Sequence, residues 1–299
     1  MRVKTVKLMQ LEILNRRTML SDEDRKDFNK CRMGHVGELQ FDSVIEMLAC
    51  PVVHLKDYRF QLDDSAGLDK KVGNGPSEVQ IDNIIITDDQ LYTFEIKNYQ
   101  YDMEYYADRP WRFAGGREIV NPMNQVDSHR NVLTSLMKDF NMQFNLSANL
   151  VFIHPEQTIY NLPNHPNIYT RSNLNKRLKY LLKPNRYDYS RFVEMLDTRR
   201  IFKSAYDSDA NVTFEELAGG VFCADCANSS LRRMHRDKFV CDECGDVMTK
   251  PEVVQQLIRE LHILNSTWKV NSEMIAKYSG NQFSGSTIRR YRLKGYIDF

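Results

Sequence analysis

Two groups of residues have types and spacings that could do chemistry. In the run Thr93 to Tyr99, strand alternation places Thr93, Glu95, Lys97 and Tyr99 on one face and Phe94 and Ile96 on the other. Upstream, Asp82 sits beside Ile81, with Ile84 and Ile86 following at alternate positions. An aspartate in so apolar a strand is costly unless it is paired or bound to a metal. A hairpin joining the two runs would bring Asp82 close to Glu95, and a divalent cation is the usual remedy for two like charges in one site. Lys97 could then orient or deprotonate a water and offset charge on a phosphate. Together these residues read as a site for metal-assisted phosphodiester hydrolysis. The same three residues on facing strands also suit an ion-pair ladder on a solvated face.

The second group is Cys223-x-x-Cys226 and Cys241-x-x-Cys244, two knuckles with 14 residues between them. That spacing lets four thiolates surround one structural Zn²⁺ tetrahedrally, as in a zinc ribbon, with no open position for chemistry. Cys31 and Cys50 read as plain core or helix cysteines. Between the knuckles, Arg232, Arg233, Arg236 and Lys238 form a basic stretch that could touch phosphates or simply face solvent. Near the end of the chain, residues 272–278 and 286–294 read as two short helices around a Gly-containing turn, resembling a helix-turn-helix. Thr287 at the start of the second would suit base edges or phosphates, and Arg289, Arg290 and Arg292 the phosphate backbone. Residues 251–299 hold seven Lys or Arg and four Asp or Glu, a net of +3. A small packing module with a charged face is the other reading of this region.

These residues must be positioned by elements that the pattern also outlines. Ser21 and Asp24 look like a capping box, and Phe41, Val44, Ile45 and Leu48 repeat at helical spacing until Pro51, which predicts two helical segments over 22–49 with a break near Gly34 or Gly37. Glu38 falls on or beside the inward face. Strand-like runs follow at 52–60, 79–87 and 91–99, the last two joined by a short polar link, with an exposed loop expected over 63–77. Asn121-Pro122 opens a helix to about Phe140, and Leu150 to Ile153 suits a buried strand. The order α-β-β-β-α-β predicts an α/β core with a mixed sheet flanked by helices. The expected division is a core over 1–160, a helical connector over 161–218, a zinc ribbon over 219–250 and a helix-turn-helix-like module over 251–299. The role of residues 1–20 stays open.

Composition adds limits. The 299 residues, 42% hydrophobic, suffice for one substantial core plus small modules, and 41 basic against 40 acidic residues leave any grip on a polyanion to local patches. No apolar run approaches a membrane span, the start of the chain lacks a leader pattern, and six cysteines are too few for a disulfide scaffold. A soluble, cytoplasmic protein is the expectation.

Gly37-Glu38, Ile81-Asp82-Asn83, Phe94-Glu95-Ile96-Lys97-Asn98 and Asn121-Pro122-x-x-Gln125 resemble the motif series of the NERD (nuclease-related) domain, a branch of the PD-(D/E)xK nuclease-like superfamily, over about residues 30–155. The resemblance implies a restriction-endonuclease-like core in which Asp82, Glu95 and the Ile96 carbonyl hold Mg²⁺ or Mn²⁺ and Lys97 serves the attacking water. Glu38 would orient Lys97 or assist the metal, and Gln125 would contact water or nucleic acid. It departs from the family pattern at Gln80, where an acid is common, and in the 61–77 insertion. The expected function is a metal-dependent nuclease, acting on DNA as an endonuclease, with a role in bacterial DNA processing or antiviral defence. The alternatives are a non-catalytic nucleic-acid-binding or sensing protein on the same fold, and a scaffold whose zinc module binds another protein. A homo-oligomer or a protein partner through the C-terminal modules stays open.

Overall fold

The computed structural model describes residues 2–61, 78–88, 90–107, 109–226 and 230–299. The loop expected over 63–77 lies outside the described residues. Helix α1 (Val6–Arg17) is followed by α2 (Asp22–Met47), whose N-cap is Ser21: its hydroxyl accepts from Asp24 N at 3.0 Å and donates to the Asp24 carboxylate at 2.6 Å. The chain divides into two compact units, one comprising Arg2 with Arg32–Tyr206, the other Val3–Cys31 with Asp207–Phe299, so the division falls within α2.

The expected break at Gly34 or Gly37 is absent, and α2 runs through both glycines. Glycine in a helix costs up to about 1 kcal/mol relative to alanine. At Gly37 packing supplies the reason for it: a Cβ there would lie 2.6 Å from Asn98 Cβ. The close approach lets Asn98, next after Lys97, donate to the α2 carbonyl of Met33 at 2.8 Å.

In the first unit, β1 (Val53–Gln61), β2 (Glu78–Thr87) and β3 (Gln90–Lys97) form an antiparallel meander. After β4 (Met103–Glu104), β5 (Trp111–Phe113), β6 (Glu118–Ile119) and α3 (Met123–Asp139), strand β7 (Asn145–Phe152) joins parallel to β3; β8 (Ile159–Tyr160) follows, and β9 (Ile168–Thr170) pairs parallel with β7. Among the described residues the main sheet has the order β1-β2-β3-β7-β9, and β6-β5-β4-β8 form a smaller one. The mixed α/β core expected from the sequence is therefore present. Asn121 acts as the side-chain cap of α3, accepting from Met123 N at 2.9 Å, as its place before Pro122 predicts.

Alternation sorts the main sheet's two faces. Tyr92, Phe94 and Ile96 of β3 pack with Phe41, Val44 and Ile45 of α2 and with Leu174 and Leu178 of α4 (Arg171–Leu181). Ile84 and Ile86 of β2 pack on the other side with Val132 and Leu133 of α3 and with Phe192 and Leu196 of α5 (Ser190–Arg199). The expected division at residue 160 is thus corrected. Helices α4 and α5 belong to the core because each covers part of a sheet face that would otherwise expose isoleucine and phenylalanine to water.

The second unit holds β10 (Leu231–His235), β11 (Lys238–Cys241), β12 (Val247–Thr249), α6 (Lys250–Leu264), α7 (Ser272–Tyr278) and α8 (Gly285–Leu293). Residues 3–31, expected within the nuclease core, belong here: Leu8, Leu11 and Leu14 of α1 share one core with Leu257 and Leu261 of α6, Ile275 of α7, Ile288 of α8 and Phe239 of β11. The buried Arg17 guanidinium fastens α1, donating to Glu260 at 2.8 Å and lying 3.6 Å from the centroid of the Tyr278 ring. The ribbon and the C-terminal helices, expected as separate modules, share that core. No helix among the described residues is long and apolar enough to cross a membrane.

Candidate active site and metal centre

Strands β2 and β3 pair in register from Thr87–Gln90 to Asn83–Phe94. Beyond that pair a side chain joins the ladder: Asp82 Oδ2 accepts from Ile96 N at 2.9 Å. Glu95, buried on the α3 face of β3, is held at both oxygens. Lys97 Nζ donates to Oε1 at 2.6 Å, and His129 Nε2 lies 3.3 Å from Oε2. The Lys97 ammonium also donates to Gln125 Oε1, in the first turn of α3, at 2.5 Å. His129 Nε2 is 3.0 Å from the Gln80 carbonyl, which can only accept, so the proton sits on Nε2. Nδ1 of the same ring is buried without a hydrogen-bond partner among the described residues.

The charges are unequal in their comfort. Burial, together with the negative charges of Glu95 and Glu38, pushes Asp82 well above the usual carboxylate range, against the pull of the Ile96 N–H and Lys97. Burial also pushes Glu95 up, but the His129 hydrogen bond and the Lys97 charge outweigh it and hold Glu95 below its ordinary value. Desolvation would lower Lys97, yet Glu95 keeps it above the usual lysine value and so charged. Two buried carboxylates on neighbouring strands, one of them resisting ionisation, form a hard-oxygen donor set that a divalent cation would relieve. The residues present therefore fit Mg²⁺ or Mn²⁺. Among the described residues, only the cysteine quartet brings three or more His, Cys, Asp or Glu ligand atoms within 4.8 Å of one another. A cation at Asp82 and Glu95 would therefore take main-chain, water or substrate oxygens as well.

Glu38 stands apart from Lys97. Its carboxylate faces Arg2 Nη1 at 3.4 Å and His35 Nδ1 at 3.8 Å, whereas the ammonium of Lys97 is held by Glu95 and Gln125. Burial raises Glu38 to about 7; Arg2 pulls it down, and Asp57, Glu95 and Asp42 push it further up. Sequence reasoning missed Arg2, Asp42, Asp57 and His129. Asp42, four residues after Glu38 on one helix, and His129, four after Gln125 on an otherwise apolar face, carried a readable spacing. For Arg2 no local signal exists.

The four predicted cysteines do converge. Cys223 Sγ and Cys244 Sγ are 3.7 Å apart, matching the separation of about 3.8 Å set by Zn–S bonds near 2.3 Å in a tetrahedron. Backbone N–H groups, foremost that of Cys244, lower Cys241 to about 7, whereas the hydrogen bond to Cys244 pushes the Cys226 thiol up and burial pushes Cys223 up, a crowding of sulfurs that a bound cation would relieve. The quartet can bind a structural metal such as zinc.

The predicted nucleic-acid contacts differ in freedom. Arg232 is committed to a bidentate pair with Asp242 at 2.8 and 2.9 Å, and Arg233 turns onto the carbonyls of His235 and Arg236. On α8, Arg289, Arg290 and Arg292 are exposed, while Thr287 N is capped by Ser284 Oγ at 3.3 Å. Arg292 lies 4.6 Å from the Phe299 ring centroid.

No curated protein and no solved structure matched the chain. Residues 33–155, which span Glu38, Asp82, Glu95, Lys97 and Gln125, match the family model described as the nuclease-related domain. The strand-borne acids, the lysine and the helix that follows thus lie within one recognised domain, and the chain carries a nuclease-related domain, NERD, over residues 33–155.

Proposed function

We propose that the chain is a metal-dependent endonuclease that hydrolyses phosphodiester bonds in DNA. The observation that carries this reading is the pairing of buried Asp82 and Glu95 on adjacent strands, with a charged Lys97 held between Glu95 and Gln125. Bound by Asp82, Glu95 and the Ile96 carbonyl, Mg²⁺ or Mn²⁺ would polarise the phosphate and lower the pKa of an attacking water. The chain's own groups do the rest. His129 and Lys97 keep Glu95 ionised and fixed in orientation. Lys97, protonated, donates to the attacking water or to a phosphate oxygen and offsets the negative charge that builds up there. Gln125 limits the swing of Lys97 and can itself meet water or nucleic acid. Glu38 supplies a third acid whose charge is felt at Asp82.

In the second unit, one Zn²⁺ on Cys223, Cys226, Cys241 and Cys244 would hold the ribbon. Thr287, Arg289, Arg290 and Arg292 of the helix-turn-helix-like pair α7–α8 would steer DNA, joined by Arg232 and Arg233 of the ribbon. A reducing cytoplasm suits this reading, since four of the six cysteines would serve as metal ligands rather than as disulfides. Bacterial DNA processing or antiviral defence is the setting this chemistry suits.

The test is incubation of the purified chain with linear DNA, circular DNA and RNA, with Mg²⁺, Mn²⁺ or EDTA, beside Asp82→Ala, Glu95→Ala and Lys97→Ala. We expect metal-dependent nicking of circular DNA and losses of at least about a thousandfold in each variant, not additive, because the groups act as one unit. Equal cleavage by Glu95→Ala would remove the catalytic assignment. Tight DNA binding without cleavage would point instead to a sensing protein on a nuclease fold.

A further inference from the structure

The first unit gathers acids that the metal reading does not use. Glu38 and Asp42 lie on α2 and Asp57 on β1, all close to the strand that bears Asp82. Into their midst comes the guanidinium of Arg2, whose side chain is 0% exposed. Each of its three nitrogens is engaged. Nη1 donates to Asp57 Oδ1 at 2.6 Å and to Glu38 Oε2 at 3.4 Å; Nε and one hydrogen of Nη2 grip the Asp42 carboxylate at 3.2 and 3.1 Å. Nη2 also donates to Asn83 Oδ1 at 2.7 Å and to the main-chain carbonyl of Asp82 at 3.1 Å.

That last contact depends on an interruption in the sheet. The β1–β2 register pairs Lys56 with Asn83 and Tyr58 with Ile81 but omits Asp57 and Asp82 between them. Asp57 has φ 55°, in the left-handed region that a non-glycine residue adopts within a strand only when its surroundings compel it. At this gap Arg2 takes the Asp82 carbonyl. The guanidinium is therefore bonded to the backbone of the residue whose side chain is fixed on its other side by Ile96 N.

We infer that Arg2 is a positioning residue for the metal site: through the Asp82 carbonyl, Asn83 and Glu38 it holds the Asp82 carboxylate in register with Glu95. This inference rests on the nuclease reading above. The role demands a planar fork with five N–H donors, so lysine, a single point charge, keeps the charge and loses the geometry. Charge and position can thus be separated. Removing a cation near the site would by itself tighten the binding of a divalent ion, whereas losing the fork would loosen its ligand.

The experiment is calorimetric titration of Mn²⁺ into the full chain, with Glu95→Gln defining which binding belongs to this site. Arg2→Lys should weaken Mn²⁺ binding about tenfold, in the range seen when a group supporting a metal ligand is removed. Cleavage should drop correspondingly at low Mn²⁺ and recover to within a few fold at saturating Mn²⁺. Asn83→Ala, which cuts the 2.7 Å contact from the other side, should act in the same direction and decides the matter if Arg2→Lys does not fold. Thermal melts identify the folded variants. An Mn²⁺ affinity within twofold of the parent in the folded variants, or tighter binding, overturns the positioning role. A parent chain whose titration matches that of Glu95→Gln overturns the nuclease reading, and this inference with it.

Discussion

Glu38 is the acid whose protonation the fold disturbs in a measurable window. Burial raises it from 4.5 to about 7. Between those values the folded chain binds more protons than the unfolded one, so this residue's contribution to stability falls as pH rises. Below about pH 4.5 both states are protonated and nothing is lost; above about pH 7 the loss is essentially complete, on the order of 3 kcal/mol. Glutamine in its place avoids the cost and still accepts from Arg2. Without added divalent cation, Glu38→Gln should therefore stabilise the chain by about 3 kcal/mol at pH 8 and by less than about 1 kcal/mol at pH 5, read from denaturant midpoints at the two values. An equal gain at both would show that Glu38 is not the strained acid. How far such residues were legible follows from how each is held. Asp82, Glu95 and Lys97 announce themselves because strand alternation is local and an acid among isoleucines is conspicuous. Arg2 does not, because its five partners come from residues 38, 42, 57, 82 and 83, and no local spacing encodes contacts made across 36 to 81 positions of sequence.

At the scale of elements, the cysteine quartet ties the ribbon to the helices that follow. Cys223 and Cys241 are fully buried and belong to the same apolar core as Leu257, Ile275 and Ile288. Ligand binding supplies folding free energy to a segment this short. One zinc per chain is expected by elemental analysis of protein prepared without chelator. Cys223→Ser should unfold the ribbon locally and expose its amides to hydrogen exchange, loosening α6–α8 as well, while amides of β2, β3 and β7 stay protected. Absence of zinc, or an unchanged exchange pattern in Cys223→Ser, would contradict the structural metal. The strands and α3 could be read from the sequence because their periodicities are strong and their ends are marked by Pro51, Asp88 and Asn121-Pro122. Continuity of α2 could not, since glycine normally weakens a helix and only the Asn98 contact explains Gly37. Nor could the allegiance of α1, α4 and α5, which depends on which apolar faces remain to be covered once the sheet has formed.

At the scale of the whole chain, a net charge of +1 gives no general attraction to a polyanion, so the DNA affinity proposed above would have to come from local arrays. The α8 array is the strongest. Arg289 and Arg292 lie three residues apart on one side of the helix, and Arg290 is turned about 100° from Arg289. All three are exposed, and none has an acidic partner among the described residues at ion-pair distance. Arg232, by contrast, would have to give up Asp242 before meeting a phosphate. Replacing Arg289, Arg290 and Arg292 with alanine should therefore weaken duplex binding and flatten its salt dependence. Each lost phosphate contact removes about 0.9 from the slope of log K against log salt, so a loss of two to three contacts changes the slope by about 2 to 3. Cleavage at saturating DNA should stay near the parent value, because no arginine of α8 belongs to the Asp82–Glu95–Lys97 site. A salt titration in which the triple variant binds duplex as tightly as the parent, with the same slope, would make α7–α8 a packing or partner module. Steering would then have to come from Arg233 and its neighbours on the ribbon.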